Sequence, residues 1–327
     1  MKKIIIIFTG GTICMKKDEE TGAAVPAMSG SDILEFVPEL ANKVHISFMD
    51  FGMLPSPHIT LENMLELSKI VNIKLEEEGF DGVIITHGTD SMEETAFFID
   101  LTYNGSKPVI VTGAMKNNSE PGFDGAANLR DSVIAAVNEN AKFRGVMVVM
   151  NGEIHSASQV TKTSTHALET FKSLDFGPIG LVDNDRAYFY CNYNKRQYIP
   201  VDKIKCNVDI IKCGCGMDDR LIRFCADSGS KGIVIEGMGR GNIPPRMVPG
   251  VEYAIAKGIV VVLVSRCPKG KVMDDYGYEG AGRDLVEKGV LRGDNLNGQK
   301  ARIKLIAALS YTNDISSIKD IFEKDFY

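Results

Sequence analysis

Short apolar runs alternate with helical patterns along the chain, and this alternation limits the possible fold most strongly. Residues Ile4 to Phe8 are all apolar, so Lys3–Phe8 reads as a buried strand, and so does Gly82–Thr86. Between them, residues 60–78 carry apolar side chains at helical spacing and end at Gly79. This order predicts an α/β fold with a mostly parallel sheet. Further strands are predicted at 108–112, 144–150, 232–236 and 259–265, and helices at 90–101, 125–138, 219–227, 248–257, 284–288 and 299–309.

The alternation is interrupted in residues 184–200, which are polar, irregular and rich in tyrosine. A chain of 327 residues has the length of about two domains. We therefore expect a larger N-terminal α/β domain over residues 1–190, a linker over 191–211 and a smaller C-terminal α/β domain over 212–327.

Charge and composition exclude several classes of protein. The net charge is −6, which disfavours nucleic acid or an anionic membrane as a partner. The apolar run after Lys2 and Lys3 has five residues, fewer than the roughly 7–15 of a signal-peptide core. The seven cysteines have irregular spacing, and the C-x-C of Cys213 and Cys215 has no second pair, which argues against a zinc site. We expect a cytoplasmic protein with free thiols and no metal.

Glycine-bearing turns follow the predicted N-terminal strands. Ligands of open parallel sheets bind beyond the carboxyl ends of the strands, and glycine lets the backbone approach them closely. Neither a phosphate-loop motif nor a dinucleotide-binding G-x-G-x-x-G follows a strand, and the glycine-rich residues 237–241 lack both patterns. The turns read TGGT at 9–12, HGTDS at 87–91, GAMK at 113–116 and NGE at 151–153.

Two threonines, Thr12 and Thr89, are expected at one crevice, with Asp90 beside the second. A hydroxyl group becomes a good nucleophile only when a base removes its proton. Lys162, in a stretch at 156–165 that reads as a loop, is a candidate helper. Taken singly, Lys162 would be read as a solvated surface lysine and Thr12 as a cap at the end of a strand.

Taken together, these motifs resemble those of the bacterial-type L-asparaginases, in particular the cytoplasmic type. The resemblance runs essentially from end to end, and the order and separation of the two threonine motifs make it highly specific. The matching stretches are TGGTI at 9–13, HGTDSMEETA at 87–96, GAM at 113–115, DGAANL at 124–129, VTKT at 160–163, FKS at 171–173 and NGQKAR at 297–302.

The resemblance implies a two-domain α/β enzyme that forms homodimers or homotetramers, with its active site at the dimer interface. The reaction would be hydrolysis of L-asparagine to L-aspartate and ammonia through an acyl-enzyme, with no cofactor. Thr12 matches the nucleophile, and Thr89, Lys162 and Asp90 match a second catalytic group, whose lysine would need a lowered pKa to act as a base.

The resemblance also implies a set of substrate contacts. Asp90 matches the residue that holds the substrate α-ammonium group, and Ser56 matches the one that holds the α-carboxylate. Ala114 matches the residue whose carbonyl meets the leaving amide. Backbone amides near Thr12 and Thr89 would stabilise the oxyanion, which brings Gly11 and Gly88 into the binding site.

Three departures from the family pattern affect either recognition of the α-amino end of the substrate or the activation of Thr12. No tyrosine occurs in the loop TGAAVP at 21–26, Ser56 is followed by Pro57, and no glutamate is in register within 269–276. L-asparagine is the expected substrate, but a modified or N-substituted asparagine, or glutamine, stays open. Replacement contacts could come from His58, Arg240, Tyr276 and Tyr278.

Two readings of another kind also stay open. One is a non-catalytic homologue that binds an amino acid, although retention of both threonines, Asp90 and Lys162 argues against it. The other is a subunit that supplies ammonia to a transamidation partner. We rank this reading low, because the relatives of that type carry an extra domain and this chain begins directly at its first strand.

Overall fold

The computed structural model describes residues 1–17, 24–26, 44–191 and 196–323. The chain divides into two compact units, one formed by residues up to 198 and one by residues from 199 onward. Each unit is built on a sheet with helices, so the predicted α/β class is confirmed.

The first unit contains an eight-stranded sheet with the order β12-β11-β8-β7-β6-β5-β1-β4. Strands β7, β6, β5, β1 and β4 pair in parallel. Strands β8, β11 and β12 extend the sheet with antiparallel pairing. The strands are β1 Lys3–Phe8, β2 Met15–Lys17, β3 Ala24–Pro26, β4 His45–Asp50, β5 Gly82–Thr86, β6 Val109–Thr112, β7 Val146–Met150, β8 Glu153–Ser156, β9 Val160–Lys162, β10 Phe171–Ser173, β11 Gly180–Asp183 and β12 Arg186–Phe189, and the helices are α1 Leu61–Asn72, α2 Met92–Thr102 and α3 Gly125–Ala136.

The strand order reverses at β1, because the next strands of the parallel sheet are added first on one side of β1 and then on the other. Strand β1 pairs with β4 on one side and with β5 on the other. Ile4 and Ile6 pack on one face with Leu129 of α3, whereas Ile5 and Ile7 pack on the other face. Burial on both faces explains the unbroken apolar run. The reversal creates a crevice at the carboxyl ends of β1 and β5, where ligands of such sheets bind.

Three stretches differ from the sequence-based expectation. The helix predicted over 60–78 ends at Asn72 and continues as a π-helical turn, Ile73–Glu77. Strand β9 lies in the predicted loop at 156–165, and β12 lies in the irregular stretch at 184–200. These strands are short and partly polar, so their pairing partners define them rather than their own composition.

The second unit has a four-stranded parallel sheet with the order β13-β14-β15-β16. Its elements are β13 Val208–Lys212, β14 Gly232–Gly237, β15 Val260–Ser265, β16 Leu291–Arg292, α4 Arg220–Asp227, α5 Val248–Ala256, α6 Gly282–Glu287, α7 Gly298–Tyr311 and α8 Ile315–Glu323. Strand β13 begins within the predicted linker at 191–211 and ends one residue beyond it, and helix α8 is not predicted from the sequence. In the described part of the chain, no helix has the length and apolarity needed to span a membrane.

Candidate active site

A cavity of about 260 Å³ lies at the carboxyl ends of β1 and β5. Seven of the eight predicted site residues line it. Ala114 is instead fully buried in the core, and its neighbour Met115 lines the cavity. The role of the Ala114 carbonyl stays a prediction. The lining residues are Gly11, Thr12, Pro55, Ser56, Pro57, Gly88, Thr89, Asp90, Met115, Lys162 and Thr165.

The two threonines of the turn after β1 have different roles. Thr9 is buried, and its hydroxyl donates to the carbonyl oxygen of Thr86 at 2.8 Å, which joins the ends of β1 and β5. Gly11 has φ +83°, and a Cβ there would lie 2.4 Å from the amide nitrogen of Gly88. Only glycine therefore lets the two turns touch. Thr12 follows at once and faces the cavity.

Lys162 reaches the turn after β5 from a separate hairpin. Its Nζ lies 2.8 Å from Thr89 Oγ1 and 2.8 Å from Asp90 Oδ1. The Lys162 side chain is 16% exposed, whereas that of Asp90 is 64% exposed. Strand β9, which carries Lys162, pairs with β10 through the register Lys162↔Phe171. The geometry supplies a hydroxyl group, an amine and a carboxylate in one hydrogen-bonded row.

Ser56 connects a third segment to the same turn. It is 5% exposed, its Oγ accepts a hydrogen bond from the Asp90 amide at 3.2 Å, and its carbonyl accepts from Ser91 Oγ at 2.7 Å. Pro57 forms the adjacent cavity wall and has neither a polar side chain nor an N–H. His58 is exposed and is not among the residues that line the cavity.

Two polar residues of the DGAANL stretch have no role in the sequence-based account. The Asp124 carboxylate accepts hydrogen bonds from the amides of Met115 and Lys116 at 3.0–3.1 Å. Asn128 donates to the Gly113 carbonyl at 3.0 Å and accepts from the Asn151 amide at 2.9 Å. They fix the turns after β6 and β7. Asp124 directly precedes α3 and is partly buried, whereas Asn128 is buried on α3. Burial becomes visible only in the structure, so the sequence carries no signal for these hydrogen bonds.

Three residues that could supply replacement contacts lie in the second unit. Arg240 forms an ion pair with Asp275 within the second unit, and Tyr276 and Tyr278 are exposed with ring centroids 5.8 Å apart. The loop positions 21–23 lie outside the described residues. Within the described ranges, no three His, Cys, Asp or Glu side chains are grouped so that they could hold a metal ion.

His87, between β5 and Gly88, is buried and uncharged at neutral pH. Burial lowers its pKa from 6.5 to about 4, although a hydrogen bond to the Gly88 carbonyl opposes this shift. Its Nδ1 lies 2.7 Å from that carbonyl, and its Nε2 lies 2.9 Å from Thr95 Oγ1. The imidazole is therefore part of the packing beneath the Thr89 turn.

The lowered pKa of His87 predicts a loss of stability in acid. As the pH falls from about 6.5 to about 4, the unfolded chain binds a proton at this histidine and the folded chain does not. The free energy of unfolding should fall by up to about 3 kcal/mol over this range from His87 alone. Urea unfolding at pH 7 and pH 4.5 should show a smaller fall for His87→Gln. The exposed-site variant His45→Gln should behave as wild type, and equal falls in all three would contradict the assignment.

Comparisons with known proteins identify the family to which this chain belongs. The family profile "Asparaginase, N-terminal" matches residues 3–195, and "Glutaminase/Asparaginase C-terminal domain" matches residues 207–322. An L-asparaginase of Bacillus licheniformis is 37% identical, over 98% of this chain and 99% of its own length. A subunit of the glutamyl-tRNA(Gln) amidotransferase of Pyrococcus furiosus is 34% identical, over 97% of this chain and 74% of its own length.

A solved structure gives the same result for the fold. The crystal structure of a probable cytoplasmic L-asparaginase from Campylobacter jejuni superposes with a TM-score of 0.89 and 34% identity. The match covers 99% of this chain and 100% of that one. The chain belongs to the asparaginase family, whose members are amidohydrolases.

Proposed function

We propose that this protein hydrolyses the side-chain amide of L-asparagine to L-aspartate and ammonia, with a threonine as nucleophile. The observation that carries the proposal is the row Thr89–Lys162–Asp90, with both contacts at 2.8 Å, in a cavity that Thr12 also lines. The relatives named as L-asparaginases support the choice of substrate.

In the proposed mechanism, Thr12 Oγ attacks the amide carbon of the substrate. The carbonyl bond re-forms as the C–N bond breaks, the nitrogen takes from Thr89 the proton that Thr12 gave up and leaves as ammonia, and an aspartyl ester remains on Thr12. Water then cleaves the ester, which releases aspartate and restores the hydroxyl group. Lys162, acting as a neutral amine, takes the proton of Thr89, and the Asp90 carboxylate stabilises the ammonium group that forms. Thr89 can then accept the proton of Thr12 and, in the second step, a proton of water.

The proposed substrate contacts follow the cavity wall. Asp90 presents a carboxylate to the α-ammonium group, and Ser56 can donate its hydroxyl hydrogen to the α-carboxylate. The Ala114 carbonyl would face the leaving amide, and the backbone at Gly11 and Gly88 would lie against the substrate.

The test is ammonia release by the purified protein with L-asparagine, D-asparagine and L-glutamine, alongside Thr12→Ala and Thr89→Val. We expect release from L-asparagine that both variants lose. Binding without release from any amide would instead support a non-catalytic homologue. Release that requires a second protein would support an ammonia-supplying role, which the similarity to the Pyrococcus furiosus amidotransferase subunit suggests as the alternative.

Pro57 favours a second candidate substrate, an asparagine modified at its α-amino or α-carboxyl end. The ring places an apolar wall beside Ser56, where a polar group could otherwise hold the free amino acid. Release of ammonia from an N-acyl asparagine, and not from L-asparagine, would make the modified compound the substrate.

Pro57 also yields a prediction about affinity. We expect Pro57→Gln to lower KM for L-asparagine about threefold to tenfold, because one added hydrogen bond contributes about 0.5–1.5 kcal/mol. Pro57→Ala removes the ring without adding a polar group and serves as the matched control. Equal KM values for the two variants would show that Pro57 does not limit recognition of the free amino acid.

We also propose a homodimer or homotetramer with the active site at the dimer interface. The Asp90 carboxylate lines the cavity and is 64% exposed, so a residue of a second subunit could contact it. Sedimentation velocity should give a dimer or larger species, and a monomer with full activity would contradict the proposal.

A cytoplasmic location is the last part of the proposal. It is supported by the solved relative described as a probable cytoplasmic L-asparaginase. The six cysteines other than Cys14 are free thiols, as expected in a reducing compartment. Fractionation of the source cells should recover the activity with the cytoplasm, and recovery outside it would contradict the proposal.

A further inference from the structure

Both ring nitrogens of His87 are hydrogen-bonded, although His87 does not line the cavity. It follows β5 directly and is 0% exposed. Its Nδ1 contacts the carbonyl oxygen of Gly88 at 2.7 Å, and its Nε2 contacts the hydroxyl oxygen of Thr95 at 2.9 Å. Thr95 is itself buried on α2, so both contacts lie beneath the turn that carries Thr89.

The two partners determine which ring nitrogen carries the hydrogen. A carbonyl oxygen can only accept, so Nδ1 must donate to Gly88. A neutral imidazole has one donor and one acceptor, so Nε2 must accept, and the Thr95 hydroxyl donates to it. Burial keeps the ring neutral, because the pKa of His87 lies at about 4. The Gly88 carbonyl thereby selects the Nδ1–H tautomer, and the Thr95 hydroxyl stabilises it by donating to Nε2.

This hydrogen bond fixes the orientation of one peptide group at the cavity. The Gly88 carbonyl and the Thr89 N–H belong to the same planar trans peptide and point in opposite directions. When the imidazole holds the carbonyl on the buried side, the N–H points away from it. Gly88 and Thr89 both line the cavity. Among the described residues, none accepts a hydrogen bond from the Thr89 N–H.

We propose that His87 is a positioning residue: it fixes the Gly88–Thr89 peptide so that the Thr89 N–H points into the cavity and stabilises the substrate oxyanion. Thr95 acts through His87 by donating to Nε2, which stabilises the tautomer that donates to Gly88. The inference rests on the proposed amide hydrolysis, in which negative charge develops on the carbonyl oxygen. A donor oriented in advance of the reaction favours the transition state over the bound substrate.

The first test is Thr95→Val, which keeps the shape of the side chain and removes the donor to Nε2. We expect kcat to fall about 10- to 100-fold while KM changes less than about threefold, because the oxyanion contact forms mainly in the transition state. Thr102→Val is the matched control, since Thr102 is buried on the same helix and its hydroxyl donates to the Phe98 carbonyl. Equal kcat values for the two variants would overturn the proposal.

Two variants of His87 separate positioning from packing. His87→Asn places an amide nitrogen close to the position of Nδ1, where it can still donate to the Gly88 carbonyl. His87→Leu fills the space without a donor. We expect the asparagine variant to retain at least about ten times the kcat of the leucine variant, at similar KM. Equal loss of kcat in both would make the role of His87 purely structural.

A third measurement does not depend on activity. In protein labelled with ¹⁵N at histidine, nuclear magnetic resonance should show His87 as the neutral Nδ1–H tautomer, with no protonation down to about pH 5. The Nε2–H tautomer, or a titration near pH 6.5, would overturn the inference. The proposed function fails separately, if the wild-type protein releases ammonia from no amide.

Discussion

Lys162→Met is expected to lower kcat for amide hydrolysis by about 10²- to 10⁴-fold, the range typical for loss of a general base. The lysine amine is within hydrogen-bond distance of both Thr89 Oγ1 and Asp90 Oδ1, at 2.8 Å each. Methionine keeps the unbranched chain and removes the amine that contacts both the hydroxyl and the carboxylate. Steady-state ammonia release over a range of asparagine concentrations measures kcat and KM separately.

The same hairpin offers a matched control for Lys162→Met. Lys172 lies on β10, beside β9, and its Nζ is 2.9 Å from Glu153 Oε2. This ion pair is partly exposed, so its loss should cost at most about 1 kcal/mol of stability. Lys172→Met should therefore keep kcat within about threefold of wild type. Similar losses of activity in the two variants would mean that Lys162 supports the hairpin rather than the reaction.

Gly11→Ala is expected to destabilise the fold by about 2–5 kcal/mol and to abolish activity. The new Cβ would lie 2.4 Å from the Gly88 nitrogen, in a backbone conformation with φ +83°. Strain at positive φ costs about 1–2 kcal/mol, and overpacking against the backbone adds about 1–3 kcal/mol. The turns that carry Thr12 and Thr89 must also move apart. Urea unfolding and ammonia release measure the two effects.

Gly79→Ala isolates the backbone part of this effect. Gly79 has φ +74°, and no atom lies within 4 Å of the position of its Cβ. This variant should lose only about 1–2 kcal/mol and keep wild-type kcat. If Gly11→Ala were no more destabilising than Gly79→Ala, the close approach of the two turns would not be a constraint on the site.

The sequence predicts the central strands well for a physical reason. Lys3–Phe8 and Gly82–Thr86 are observed with the bounds predicted, because both faces of these strands are buried after Lys3 and every side chain beyond Lys3 is apolar or small. His45–Asp50 is only partly buried at the sheet edge, and Val160–Lys162 is short and partly polar. Their strand conformation depends on pairing with distant residues, which local patterns do not contain.

The site is predictable only where a motif is contiguous. The two turns that carry Thr12 and Thr89 can be recognised in the sequence, because each directly follows a buried strand. The contact between Lys162 and Thr89 spans 73 residues, and the resemblance to a family, rather than spacing, suggested it. Asp124 and Asn128 carry no pattern that reveals their bonds to neighbouring turns. Such contacts follow from the packing of α3 against the sheet.

The central claim, cleavage of the amide through an ester on a threonine, can be tested most directly with hydroxylamine as a competing nucleophile. The substrates would be L-asparagine and the β-methyl ester of L-aspartate, which differ only in their leaving groups. A common acyl-enzyme predicts the same ratio of aspartyl hydroxamate to aspartate from both substrates, and neither product with Thr12→Ala. A ratio that differs between the two substrates, or no hydroxamate at all, would indicate direct attack by water and contradict the account.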